Sequence, residues 1–411
     1  MRRVVVTGLG AITPIGNSVE ETWDSIKNGK CGIGNITRYD TSDRKVKLAA
    51  QVKDFHAEEY IPKSQIRKMD DFVIYALAAA TQAMTDSGID IENEESTRCG
   101  VLVSSGIGGL TTIQREVIKG TEKGFDRISP HFIPMSITNM AAGQIAIKYG
   151  FQGMCSSVVT ACAGGTNAIG DAYRQIKDGY QDVMICGGTE ACINEIGIGG
   201  FTAMNALSTA TQADRASIPF DKERAGFVMG EGAGILILED YEHAKKRGAK
   251  IYCEVVGYGV SCDANHITAP LEDGSMAAVC MEKAMQDAGI KPNQVDYINA
   301  HGTSTVLNDK GETKAVKMAF KEHATKLMIS STKAMTGHLL GASGAVEGVI
   351  IALSVKHDFV PGTINHRVFD SECDLDIVPN KGRNVKVDYA MSNSLGFGGH
   401  NVSIIFKKYK D

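Results

Sequence analysis

No stretch of the 411 residues approaches the ~18–20 consecutive apolar residues that a membrane-spanning helix requires. Basic charge is not in excess either. The 43 Lys and Arg face 48 Asp and Glu, a net charge of −5, which excludes a nucleic-acid binder built on a basic surface. The 10 cysteines include no CxxC pair and no zinc-finger spacing with histidine. They are expected to be reduced thiols, most of them small core residues, and no metal site is expected. No Gly-x-x-x-x-Gly-Lys phosphate loop occurs, and Gly8-x-Gly10 lacks the third glycine of a dinucleotide fingerprint because Thr13 stands there. Proline is scarce, at 9 residues, and no Ser/Pro-rich linker divides the chain, so one compact body is expected. The N-terminal residues enter a strand-like run without the apolar stretch and cleavage site of a secretory signal, which predicts a cytoplasmic protein.

What the chain has in quantity is glycine, 45 residues, clustered at turns between apolar runs as tight loops around a site would be. Apolar residues, 43% of the chain, suffice for a large core. Strands are predicted over 4–7, 100–103, 156–159, 182–186, 234–238, 251–256 and 295–300. Several are continuous apolar runs of the kind buried on both faces. Helices are predicted over 72–87, 166–177, 241–247, 276–288, 311–321 and 344–355. The alternation predicts an α/β protein.

A weak internal repeat runs through this pattern. Val6-Thr7-Gly8-Leu9-Gly10 resembles Val255-Val256-Gly257-Tyr258-Gly259, and Ala83-Met84-Thr85-Asp86-Ser87-Gly88-Ile89 resembles Ala284-Met285-Gln286-Asp287-Ala288-Gly289-Ile290. The shared order points to a duplication whose halves divide near residue 250, with a site expected at their junction.

Four segments could carry chemistry. In Thr160-Ala161-Cys162-Ala163-Gly164-Gly165-Thr166 a strand-like run meets small residues and a helix begins. The helix N-terminus there would favour a thiolate and supply a backbone donor to an oxyanion; the plainer reading is a buried core cysteine. His301 ends an apolar run and opens a polar loop, Gly302-Thr303-Ser304-Thr305. Lys333 and His338 stand among small residues in Ser331-Thr332-Lys333-Ala334-Met335-Thr336-Gly337-His338-Leu339-Leu340-Gly341. Either histidine could be catalytic or simply hydrogen-bonded in the fold. The segment Asn393-Ser394-Leu395-Gly396-Phe397-Gly398-Gly399-His400-Asn401 reads as a flexible loop with bare backbone N–H groups, or as an ordinary glycine-rich turn.

Taken together, these segments resemble the β-ketoacyl-acyl-carrier-protein synthases, the elongating condensing enzymes of type II fatty acid synthesis. Pro219-Phe220-Asp221-Lys222 and Gly226-Phe227-Val228-Met229-Gly230-Glu231-Gly232 add to the likeness, which covers nearly the whole chain. Gly164, Val306 and His400 stand where other residues are frequent in the family. The resemblance implies the thiolase fold: duplicated halves, 1–250 and 251–411, in a five-layer αβαβα core, normally as a homodimer. It implies a Claisen condensation in which Cys162 carries the acyl chain, His301 and His338 serve malonyl decarboxylation, and Lys333 organises their charges. Cys162 and Phe397 would form the oxyanion hole, with Phe397 also a gate and Ile107 in the acyl pocket. Thr303 and Thr305 would bind pantetheine, Asp309 and Glu347 would stand behind the histidines, and Arg67, Lys68 and Arg127 would dock an acidic acyl carrier protein bearing acyl or malonyl groups. No cofactor is implied beyond the phosphopantetheine of that carrier. A polyketide ketosynthase shares this residue set, a non-catalytic chain-length partner would lack the cysteine, and a cysteine hydrolase would leave Lys333 and one histidine without a use.

Overall fold

The computed structural model describes residues 2–410. Ten principal strands, numbered in chain order, carry the architecture: β1 Val4–Ile12, β2 Cys99–Ser104, β3 Cys155–Ser156, β4 Val183–Glu190, β5 Gly232–Asp240, β6 Cys253–Cys262, β7 Tyr297–Asn299, β8 Met328–Ser330, β9 Tyr389–Gly396 and β10 His400–Lys408. They lie in the order β8-β7-β9-β10-β6-β1-β5-β4-β2-β3. Outward from the antiparallel β1–β6 seam, where Val5 faces Glu254, the same order appears on each side. On one side β1, β5, β4, β2 and β3 follow one another; on the other their counterparts are β6, β10, β9, β7 and β8. Both series change from antiparallel to parallel pairing at the same step.

Seven helices matter here: α1 Asp71–Ser87, α2 Leu110–Lys123, α3 Met140–Tyr149, α4 Gly164–Lys177, α5 Ser275–Ala288, α6 Val306–Phe320 and α7 Ser343–His357. Helices α4 and α7 pack on each other between the two halves of the sheet; α1 and α3 cover one outer face, α5 and α6 the other. This is the five-layer α/β arrangement. Helix α7 is apolar nearly all round, Ala345, Val346, Val349, Ile350 and Ile351 among its buried residues, as a helix enclosed on every side must be.

The repeated Gly-x-Gly pair has a packing cause. A Cβ on Gly8 would lie 2.2 Å from the Ala83 carbonyl oxygen of α1, and one on Gly257 would lie 2.3 Å from that of Ala284 in α5. Gly10 and Gly259 are pressed in the same way against Ala79 and Cys280. Each outer helix therefore seats directly on its strand, and each ends at a glycine in the left-handed region, Gly88 and Gly289.

Several expectations change. The strand expected over 156–159 is the two-residue β3, paired with Val101 and Leu102, and residues 157–160 lie in no strand or helix. The 393–401 segment is no flexible loop: residues 393–396 finish β9, His400 opens β10, and only Phe397, Gly398 and Gly399 form the turn. Helices α2 and α3 were not expected. All 10 cysteines are free, and only Cys155 and Cys262 are exposed. Among the described residues no helix is long and apolar enough to cross a membrane.

Candidate active site

Both central helices start at the site. Cys162 lies in the 3₁₀ turn Ala161–Ala163 that leads into α4, and Ala161 before it has φ +49°, a strained conformation for a residue with a side chain. The close fit of this turn requires glycines. A Cβ on Gly164 would meet Ser104 Oγ at 2.0 Å, and one on Gly396 would meet the Thr160 carbonyl oxygen at 2.7 Å and the Cys162 nitrogen at 3.3 Å. The β9–β10 turn is thereby laid against the cysteine, and the backbone N–H groups of Cys162 and Phe397 both favour its thiolate, as does the charge of Lys333. Burial outweighs them, with the Glu190 carboxylate acting in the same direction, and pushes the thiol up to about 12. Burial thus opposes the thiolate that the helix end favours, and the donors act on charge that develops during reaction.

Across the cleft, His301 follows β7 and His338 precedes α7; both are buried. Burial first and Lys333 second hold both imidazoles well below the ordinary histidine range, so both rings are neutral near pH 7. Ser343 Oγ accepts from the Leu339 N–H at 2.8 Å and lies 2.9 Å from His338 Nδ1, which fixes that ring. His301 Nδ1 is buried without a hydrogen-bond partner. Lys333 Nζ donates to Glu347 Oε1 at 2.5 Å, both groups buried, and burial raises the Glu347 carboxyl to about 7 in spite of the lysine.

Cys162, His301, His338, Phe397, Thr303 and Thr305 line one cleft, and the hydroxyls of the two threonines lie 2.9 Å apart. Phe397 is half-buried, its ring centroid 6.2 Å from that of Phe201. Ile107 packs in the apolar cluster that holds Cys162, Cys192, Ile198 and Phe227, and does not line the cleft itself. Asp309 lies further back than expected. It accepts from the Phe220 and Ser304 N–H groups and pairs with Arg224 at 3.5 Å, so it braces the loop after His301. The carboxylate nearest the histidine backbone is instead Glu312 of α6, which accepts from the N–H groups of His301 (2.9 Å) and Gly302 (2.8 Å). Arg67, Lys68 and Arg127 are exposed and stand outside the cleft. Glu312, Glu190 and Ser343 escaped the sequence reading, since a lone polar residue in an apolar or helical pattern carries no sign that it is buried. Among the described residues no group of three or more His, Cys, Asp or Glu is placed to hold a metal ion.

A duplicated five-layer α/β fold, with a buried cysteine at one central helix and a neutral histidine at the other, defines a condensing enzyme of the thiolase type. The family model described as the β-ketoacyl synthase N-terminal domain matches residues 1–244, and that of the C-terminal domain matches 252–367. The 3-oxoacyl-[acyl-carrier-protein] synthase 2 of Synechocystis sp. is 51% identical over 410 residues, covering 100% of this chain and 99% of the relative. Its namesake from Staphylococcus aureus strain N315 is 50% identical over 409 residues, with 100% and 99% covered. Among solved structures, a type II polyketide ketosynthase in complex with its acyl-carrier protein superposes with a TM-score of 0.93 at 37% identity, covering 100% of both chains. A β-ketoacyl synthase from Burkholderia phymatum gives 0.91 at 33% identity, again with 100% of both chains covered. The chain belongs to the β-ketoacyl synthase family. It is an acyl-transferring condensing enzyme of fatty acid synthesis.

Proposed function

We propose that the chain elongates fatty acyl groups borne on acyl carrier protein by two carbons, with Cys162, His301, His338 and Lys333 as its chemical groups. Cys162 Sγ attacks the thioester carbonyl of the acyl carrier; the carrier thiol leaves with the cysteine proton, and the acyl chain stays on sulfur. The N–H groups of Cys162 and Phe397 hold the oxyanion. Malonyl carrier then enters and loses CO2. Neutral His301 and His338 donate hydrogen bonds to the thioester enolate, whose carbon attacks the acyl-cysteine carbonyl and releases the Cys162 sulfur as a thiolate, which takes up one proton from solvent. Lys333, paired with Glu347, adds its charge to burial in keeping both imidazoles neutral. Thr303 and Thr305 receive the pantetheine arm, which enters past Phe397. Asp309 holds the loop behind His301. The division into 1–250, bearing the cysteine, and 251–411, bearing the histidines, is part of this reading, and the repeated strand order supports it.

The observation that carries the proposal is that the thiol and both imidazoles line one cleft. The partner is acyl carrier protein, received at Arg67, Lys68 and Arg127, and the reading needs no resident cofactor. A cytoplasmic homodimer is part of it as well. Val117 and Ile118 of α2, with Phe125, Ile133 and Ile147, are exposed large apolar residues, as a subunit interface would require. Full-length identity of 51% with a 3-oxoacyl-[acyl-carrier-protein] synthase 2, against 37% with the polyketide ketosynthase, favours fatty acyl chains. The test is intact-protein mass spectrometry. Acyl carrier protein charged with a fatty acyl group should add one acyl mass at Cys162, and malonyl carrier should then remove it as a product two carbons longer. Loss of the acyl group to water, with no longer product, would mean a hydrolase.

A further inference from the structure

Glu190, the last residue of β4, is fully buried, and no cation is among its partners. Its two oxygens are met only by donors: Ser105 Oγ at 2.9 Å and the Ile107 N–H at 3.2 Å on Oε1, the Gly106 N–H at 2.8 Å and the Gly341 N–H at 3.0 Å on Oε2. The Cys192 thiol also donates to Oε1, at 3.6 Å. Three of these donors are backbone N–H groups, which cannot accept, and only the Ser105 hydroxyl could take a carboxyl proton, so the cradle favours a carboxylate although burial opposes the charge.

The donors come from both ends of the chain. Gly106 and Ile107 follow β2, whereas Gly341 follows His338 and Leu340, the latter held at φ +50°. The backbones meet around the carboxylate so closely that a Cβ on Gly341 would lie 2.4 Å from the Gly106 nitrogen. A Cβ on Gly106 would lie 3.7 Å from the carbonyl oxygen of Ala161, the strained residue before the nucleophile.

We infer that Glu190 is a positioning residue of the condensation: its carboxylate fastens the Gly106–Ile107 turn to the Gly341 turn beside Cys162 and so sets the surroundings of the thiol. The inference rests on the reading of Cys162 as the nucleophile. The groups facing that thiol are the Lys333 cation, which favours the thiolate, Glu190, which opposes it, the N–H groups of Cys162 and Phe397, and the neutral rings of His301 and His338. The Cys192 thiol faces Glu190 and Asp70.

The experiment follows iodoacetamide alkylation of Cys162 against pH, located by peptide mass spectrometry, in the full-length wild type and in Glu190→Gln. Removing the charge should lower the midpoint by about one pH unit. Condensation with carrier-bound substrates should fall on the order of tenfold, because an amide presents donors to donors. Glu190→Asp keeps the charge but withdraws it, so its midpoint should stay with the wild type while condensation still falls. A wild-type midpoint in Glu190→Gln, with only a lower melting temperature, would make the residue structural filling and overturn the inference. If Glu190→Gln does not fold, Ser105→Ala decides: it removes one donor and keeps the charge, and kcat should drop several-fold; an unchanged kcat overturns the inference. Alkylation does not require Cys162 to be the acylated residue. Failure of that reading would show separately, as an acyl group mapped elsewhere in the wild type.

Discussion

The imidazoles of His301 and His338 meet edge to face, their ring centroids 5.3 Å apart and their planes at 86°. Burial, the Lys333 charge and, for His301, the second ring all oppose protonation. Malonyl decarboxylation should therefore show no acid limb near the ordinary histidine value of ~6.5. Its rate is expected to stay flat from about pH 6 to about pH 8, with the limb displaced to lower pH. A limb centred near pH ~6.5 would mean that the rings titrate normally and that the cleft is wetter than its geometry implies.

Removing either ring separates the two half-reactions. His301→Ala and His338→Ala should each lower malonyl decarboxylation and condensation by about 10²–10³, since each deletes a donor to the enolate. Acyl transfer to Cys162 should persist in part, because the N–H groups of Cys162 and Phe397 remain. Single-turnover acylation and CO2 release, measured separately, check this. Normal CO2 release in both variants would remove the histidines from that step.

Lys333 and Glu347 give a pH-dependent stability. The Glu347 carboxyl is raised from the usual range to about 7, so the folded state favours its protonated form. A group raised in this way stabilises at low pH, and its contribution is lost as pH rises through the folded value. In Lys333→Met the carboxyl loses its cation and rises further. The deficit against wild type should thus be small near about pH 5.5 and reach about 3 kcal/mol near about pH 8.5, where an unpaired buried charge is enforced. Chemical denaturation at the two pH values reads the difference; an equal deficit at both would mean that Glu347 stays protonated throughout.

What was legible in the chain was whatever sits at the end of a strand among small residues. Cys162 and His301 stand in such places, His338 stands among small residues before a helix, and each proved to line the cleft. Gly8 and Gly257 were legible as a repeat because close packing of a helix on a strand admits no side chain. Strand β9 was not legible, since Asn393 and Ser394 read as loop residues and Ser392 beside them is polar too. For two of them the polarity is met inside the protein: Ser394 Oγ pairs with Thr166 Oγ1 at 2.8 Å, and Asn393 Oδ1 accepts from Ser403 at 2.8 Å. Glu190 and Glu312 were hidden for the same reason, because backbone N–H groups distant in sequence solvate them. The direction of the Cys162 shift could not be read either, since a helix end is visible in sequence and depth of burial is not.

Carrier docking is expected to depend on charge at Arg67 and Lys68. Both are exposed just before Asp70, whose carboxylate caps α1 and accepts from the Thr112 N–H at 2.9 Å, so the basic pair sits on a fixed support. Arg67→Glu with Lys68→Glu should raise the KM for acyl carrier protein about tenfold at low salt and flatten its salt dependence, leaving kcat nearly unchanged. An unchanged KM would return the pair to an ordinary solvated surface.

Ile107 should set the length of chain that Cys162 accepts. Its side chain lies in the same apolar cluster as Cys162, Ile198 and Phe227, and its N–H is tied to Glu190 at 3.2 Å, so the backbone is held. Gly108 after it has φ +77°, and a Cβ on Gly109 would lie 2.0 Å from the Met135 carbonyl oxygen, which leaves the turn no freedom to retreat. A larger side chain must therefore take space from the substrate. Ile107→Phe should cost about 1–3 kcal/mol through overpacking and block medium and long acyl chains, while primers of about two to four carbons still reach Cys162. Ile107→Gly should open the limit and slow the discrimination between lengths. Acylation rates of wild type and both variants across a primer series measure this, with melting temperatures taken alongside. A selective loss at long chains places Ile107 in the acyl path, whereas an equal loss at every length, following the melting temperature, would make it a packing residue of the cluster around the nucleophile.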